Sequence, residues 1–307
     1  MIETEQKGKM NVIGDWDMSE KIYEALTHFA SELIPQSTSE TIYHYTSIDG
    51  LLGIVQNKLW LSNSEFLNDS AELIYTSDLF SQLFRDTVLV PDKEQISIPP
   101  GSSMKDILWH QQLEIFALSL TENSDSITLW NNYANYEGYN LGFKRAELIE
   151  CLRNYAIQNG FLLFYGKIIY DLEQQKKLLT RLIERYISNK TDIENISDFL
   201  AGVINHVDLS VQLNLYSLFF KHPSFSPEEE YRIVLIKSNH SFDVSFRHRL
   251  GIIIPYIEVG IDQIPITEIN IGPKNNIDIA KLGVERFLSH SGHTNVKIHK
   301  SAVPLRY

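Results

Sequence analysis

A chain of 307 residues, 43% of them apolar and 11% aromatic, is long enough to bury one large core or two modest ones and too apolar to stay disordered. Its formal charge of -12 argues against a general grip on phosphate backbones, so nucleic acid is expected only as a target approached through a local groove. One cysteine, Cys151, excludes an intramolecular disulfide, and apolar runs such as Ile252-Ile253-Ile254 are broken at Pro255 before they could span a bilayer.

The first residues, with Glu3, Glu5, Lys7 and Lys9, lack the apolar run of a signal peptide, and a cytoplasmic protein with no membrane association is expected. Met18, Ile22, Leu26, Phe29 and Leu33 recur at helical spacing ahead of Pro35, which makes residues 1–41 an N-terminal helical segment. Ile42 and Tyr43 start a strand, and Ile48, Leu51, Leu52 and Val55 predict a helix from Ser47 onward. Between them His44 and Thr46 stand at a strand-to-helix junction, where polar groups can face a ligand. A strand over Leu59–Ser62 follows, then a helix from an Asn68-Asp69 cap to about residue 84. Residues 90–104, with Pro91, Pro99, Pro100 and Gly101, are predicted as an exposed loop.

Ile115–Thr121 is a strand candidate, Ser126–Ala134 a helix and Tyr139–Phe143 another strand. Residues 161–170 are rich in strand formers. Residues 172–220 turn helical, with Leu178, Leu179, Leu182, Ile183, Tyr186 and Ile187 on one stripe, and form a helical insertion into a sheet-based domain over 42–307. The sheet is expected to resume at Tyr231–Lys237, Ile252–Val259 and Ile266–Ile271, followed by a helix near 275–290 and a strand near 296–299.

Three stretches could carry chemistry. His44 is one. Ser126, Trp130 and Tyr133 share a helix face, with Trp130 expected in the core and Tyr133 able to stack on a planar ring. In the third, period two from Glu228 would place Glu228, Glu230 and Arg232 on one face of a strand, and Glu229 and Tyr231 on the other. His290, His293 and His299 have no cysteine or carboxylate at ligand spacing, so no metal site is predicted. Glycine-rich dinucleotide and phosphate loops, a nucleophile elbow and a zinc-protease helix are absent from the sequence, and Cys151 is expected in the core.

The chain resembles a bacterial family of uncharacterised domains through Tyr43–Ser47, Asn68–Glu72, Trp130–Gly138, Lys221–Arg232 and Pro304–Arg306. That family is similar to the ADP-ribosyltransferase superfamily, whose split mixed sheet carries a His, Tyr, Glu trio that binds NAD and breaks its nicotinamide–ribose bond. The resemblance implies an α+β fold of that kind, with flanking helices and a helical insertion. It implies His44 on the adenosine ribose, the Tyr45 backbone bonding the nicotinamide carboxamide, Thr46 among the residues that bind NAD, Tyr133 stacked on nicotinamide, and Glu230 on the nicotinamide ribose. Tyr45 departs from the eukaryotic polymer-forming enzymes, which have glycine there. Glu228 would orient or deprotonate the acceptor, Ser119 would help hold the nicotinamide end, and Arg232 would contact the cofactor or anchor the carboxylates.

The function expected on this basis is NAD-dependent transfer of ADP-ribose to a protein or nucleic-acid target. A role as a bacterial toxin or phage-defence effector, with an antitoxin or defence partner, is implied only by the resemblance. An NAD glycohydrolase and a catalytically silent ligand-sensing or interaction module of the same fold remain open alternatives.

Overall fold

A computed structural model describes residues 34–67, 71–88, 114–190, 209, 212–237, 243–249 and 251–304. Residues 1–33 of the predicted N-terminal segment, the Asn68-Asp69 cap, the 90–104 loop, residues 191–208 of the helical block and Leu305-Arg306 lie outside the described residues.

β1 (Thr41–Thr46) runs straight into α1 (Ile48–Val55), because Ser47 is extended and its hydroxyl accepts from the Gly50 N–H, a donor that the first helical turn leaves open. β2 (Lys58–Asn63) and α2 (Ala71–Val88) follow, then β3 (Glu114–Thr121) and α3 (Ile127–Ala134). Ser126 caps α3 by the same device, and Asn135 ends it in the left-handed region. β4 (Tyr139–Lys144) leads into α4 (Arg145–Asn159), and β5 (Leu162–Lys167) into α5 (Leu172–Lys190). After α6, residues 212–219, a 3-10 turn over Pro223–Glu228 enters β6 (Glu230–Lys237). β7 (Ser245–Arg249), which the sequence reading did not foresee, precedes β8 (Ile252–Gly260), β9 (Ile266–Ile271), α7 (Ile277–His290) and β10 (Lys297–Lys300).

The strands form one mixed, open sheet with flanking helices: β9 and β10 are parallel, and the other pairs are antiparallel. β6 pairs along the whole of one edge of β3, from Glu114↔Lys237 to Thr121↔Glu230. The other edge of β3 is shared, because β2 joins at Phe116 and Ala117 and β1 joins only at Thr121. Between these points Leu118 to Leu120 pair with neither strand, and the sheet opens into a split. One limb continues through β1, β4, β9 and β10, the other through β2, β8 and β7.

Strand alternation sorts the two cores. On β6, Tyr231, Ile233 and Leu235 enter one core with Phe116, Leu118 and Leu120 of β3 and Leu148 and Leu152 of α4. Val234 and Ile236 enter a second core with Phe80 and Phe84 of α2, Leu179, Leu182, Ile183 and Tyr186 of α5, and Leu213 and Phe219 of α6. The described part of the expected helical insertion, α5 and α6, packs into the second core: its apolar stripe meets Phe164 of β5 and Val234 and Ile236 of β6, and removing it would expose these side chains to water. Glu230 and Arg232 precede Val234 on the same face of β6, so this polar pair stands at the rim of the second core.

Among the described residues no helix is long and apolar enough to cross a membrane.

Candidate functional site

His44 sits at the split. Its Nδ1 lies 2.9 Å from the carbonyl oxygen of Ser119, in the part of β3 that β1 and β2 leave unpaired. A carbonyl only accepts, so Nδ1 carries the proton and Nε2 presents a lone pair. Burial pushes the imidazole down; the Ser119 bond opposes this, but Arg247 and Arg249 lower it further, and the ring ends at about 4. We expect NMR to find His44 titrating near pH 4, with no inflection from this ring near the ordinary 6.5. An unfolded chain takes up this proton first, so the stability due to His44 is present above 6.5 and drains as the pH falls toward 4. An inflection near 6.5 that disappears in His44→Ala would mean that neither burial nor the neighbouring arginines depress this ring, and that it cannot accept below that pH.

Tyr45 faces elsewhere. Its hydroxyl donates to the Asn123 carbonyl at 3.0 Å and accepts from the Ser126 N–H at 2.8 Å, while its ring meets Trp130 edge-on at 4.8 Å. Trp130 is fully buried, and its indole N–H donates to Asp125 at 2.6 Å. These contacts fix the start of α3 against β1. The approach is close: a Cβ on Gly138 would fall 2.2 Å from the Thr46 carbonyl oxygen, so only glycine fits where the turn after α3 passes β1. Tyr133, one turn beyond Trp130, then reaches across to donate to Glu228 Oε1 at 2.8 Å.

Glu228 and Glu230 share a side by a different route from the one expected. The strand begins only at Glu230; Glu228 ends the 3-10 turn, and Glu229 adopts the left-handed conformation at φ 45. That reversal turns Glu229 out to solvent, where its carboxylate accepts from Asn123 Nδ2 at 3.2 Å, and leaves Glu228 and Glu230 7% and 4% exposed. Lys221 bridges them, donating to Glu228 Oε2 at 2.6 Å and Glu230 Oε2 at 3.3 Å. Arg232 grips Glu230 with a fork, Nε to Oε1 at 2.7 Å and Nη2 to Oε2 at 2.9 Å, and donates Nη1 to the Leu218 carbonyl at 2.8 Å. Burial pushes the Glu230 carboxyl up, but the charges of Arg232 and Lys221 and hydrogen bonds from Arg232 and Ser119 outweigh it and hold the group at about 2. The four side chains form a buried quartet with no net charge. Its support is also internal: the Tyr170 hydroxyl accepts from the Glu230 N–H at 3.1 Å, and Gln175 Nε2 donates to the Lys221 carbonyl at 2.9 Å.

His44, Tyr133, Lys221, Glu228, Glu230 and Arg232 line one cleft of about 390 Å³ together with Tyr45, Thr46, Ser119, Trp60 and, from β7, Arg247, His248 and Arg249. Of the residues singled out in the sequence, His44, Thr46, Ser119, Tyr133, Glu228 and Glu230 come together there. The Tyr45 side chain is committed to holding α3, and Arg232, 1% exposed, is committed to Glu230 and α6. Lys221 was not foreseen as a site residue, although a lysine directly after the apolar run Leu218-Phe219-Phe220 and shortly before three glutamates signals a buried cation with an acidic partner. Arg247 and Arg249 carried only the weaker signal of two cations in period two. His293 is buried, with Nε2 3.0 Å from the Val55 carbonyl oxygen, and serves packing.

Part of this site matches a known family. Residues 129–233 match the model of a family described as "Protein of unknown function (DUF2971)". The matched span runs from α3 into β6, so it contains Tyr133 and the whole quartet and leaves out His44 and β7. No curated protein and no solved structure matches the chain.

Proposed function

We propose that the cleft binds NAD and transfers its ADP-ribose group to a macromolecular acceptor, either protein or nucleic acid. The observation that carries this reading is that His44 of β1, Tyr133 of α3, and Glu228 and Glu230 at the start of β6 line one cleft where the sheet splits. His44, Tyr133 and Glu230 are the trio that the resemblance to ADP-ribosyltransferases implies, and a split sheet accords with it. A neutral His44 can accept a hydrogen bond from a ribose hydroxyl through Nε2. The Tyr133 ring can stack on nicotinamide with the face opposite Arg249, whose guanidinium lies 5.8 Å over the ring.

In the reaction the bond between ribose C1′ and the nicotinamide nitrogen breaks, and its electron pair leaves with neutral nicotinamide. Positive charge develops on the ribose, and a fixed carboxylate lowers the energy of that state. The acceptor then bonds C1′ and gives up its proton to a base. Glu228 suits both roles, since one oxygen faces Tyr133 and its charge is shared with a single cation, whereas Glu230 is shared between two.

The neutralised Glu230 also supports a second reading, a ligand-sensing module that binds a nucleotide without cleaving it. Purified protein with radiolabelled NAD, with and without cell extract, separates the possibilities. Nicotinamide release with label on a macromolecule supports transfer. Release without label on any macromolecule supports an NAD glycohydrolase, and binding without release supports the sensing module. A toxin or defence role, with its partner, remains part of the proposal.

A further inference from the structure

We propose that Arg247 and Arg249 of β7 form a diphosphate subsite on the wall of the cleft; the choice of a dinucleotide as the full ligand rests on the NAD reading above. β7 is an edge strand whose partner is β8, and alternation turns Arg247 and Arg249 to one side. Arg247 Nη2 donates to the Ser62 hydroxyl of β2 at 2.7 Å, and Arg249 Nη2 donates to the Asn132 carbonyl of α3 at 2.8 Å. The strand thereby spans the cleft from β2 to α3 and holds both guanidiniums against it.

The other cations of the cleft are committed. Lys58 pairs with Glu258 at 2.8 Å, and Lys221 and Arg232 offset Glu228 and Glu230. Arg247 differs. Among the described residues its one hydrogen-bond partner is the neutral Ser62 hydroxyl, its Nε is buried with no partner, and no carboxylate pairs with it. A buried donor without a partner costs about 1–3 kcal/mol, so it calls for a cause, and an anion bound beside it supplies one. Burial lowers the affinity of Arg247 for its proton, and the adjacent charge of Arg249 lowers it further. Two guanidiniums held close in a chain of charge -12 call for an anion that satisfies both. A diphosphate does so, because each phosphate offers oxygens matched to a planar fork, whereas one carboxylate serves one guanidinium.

The test is calorimetric titration of the intact protein with ADP, inorganic pyrophosphate and adenosine at low and high salt. ADP and pyrophosphate should bind, with affinity that falls as salt rises, and adenosine should bind at least about tenfold more weakly. Arg247→Met should weaken ADP by about ten- to a hundredfold, leave adenosine unchanged, and melt no lower than wild type because it removes a buried unpaired donor. Should that variant not fold, Ser62→Ala, which frees Nη2 but keeps the charge, should weaken ADP by a smaller factor in the same direction. Equal affinity for ADP and adenosine, no binding of either anion, or wild-type ADP affinity in both variants overturns the subsite. Nicotinamide release on the same samples keeps the two readings apart. ADP binding without release leaves the subsite standing and sinks NAD cleavage, while release by Arg247→Met at an unchanged KM sinks the subsite and leaves cleavage intact.

Discussion

Glu230→Gln is expected to melt roughly 10 °C below wild type, from a loss of about 3–5 kcal/mol, because it leaves the buried Arg232 without its carboxylate and Lys221 with Glu228 alone. Arg232 is 1% exposed and Lys221 3%, so neither can turn to water once the fork on Glu230 is broken. The interaction is mutual, and a double-mutant cycle detects it. Arg232→Met should cost a similar amount alone, and Glu230→Gln in that background should cost much less than it does by itself. The pH dependence follows with a definite sign. The Glu230 carboxyl is held at about 2 against an ordinary 4.5, so its contribution is present above 4.5 and is lost as the pH falls through 2. A Glu230→Gln protein that melts like wild type yet no longer releases nicotinamide would overturn this account and make Glu230 the carboxylate that acts on the ribose.

Which residues would meet was legible at the level of pattern, and why they meet was not. Ser47 and Ser126 announce the helices they cap, and Trp130 lies in the core as expected, although a spacing that puts it on one face with Tyr133 does not say which ring reaches the cleft. Glu228 and Glu230 were expected together by strand alternation. They do share a side, but through a 3-10 turn and a left-handed Glu229, a reversal that a count of two cannot distinguish from a strand. The helical stripe of 172–187 was legible as well. Its destination was not, because period 3.6 gives the width of an apolar face and nothing about which sheet face it covers. β7 was missed since Ser-Phe-Arg-His-Arg has a single apolar residue, Phe246, and that one points to solvent. Its strand character comes from pairing with β8, a tertiary cause that local propensity does not record. The split itself is invisible in sequence, because nothing in Leu118-Ser119-Leu120 marks an edge left open.

On the NAD reading proposed above, Glu228→Gln carries the largest expected effect on activity: nicotinamide release should fall by about a hundred- to a thousandfold, while NAD binding changes little. The amide keeps the size of the side chain and can still accept from the Tyr133 hydroxyl, now 2.8 Å from Glu228, but it cannot offset positive charge on a ribose. Stability should fall less than in Glu230→Gln, since the one cation on Glu228 is Lys221, which retains Glu230 as a partner at 3.3 Å. Tyr133→Phe supplies the complementary case. It removes the donor that aims Glu228 but leaves the charge, so it should lose about tenfold in rate, the worth of one hydrogen bond to a charged group at the low end of its range. Glu229→Gln is the control, because that residue is exposed and its partner, Asn123 Nδ2, bonds an amide oxygen as readily as a carboxylate. Single-turnover release at saturating NAD, beside a binding isotherm and a melting curve for each variant, reads all three. Wild-type release by a folded Glu228→Gln protein would remove Glu228 from the chemistry and leave Glu230 as the cleft carboxylate that acts on the ribose.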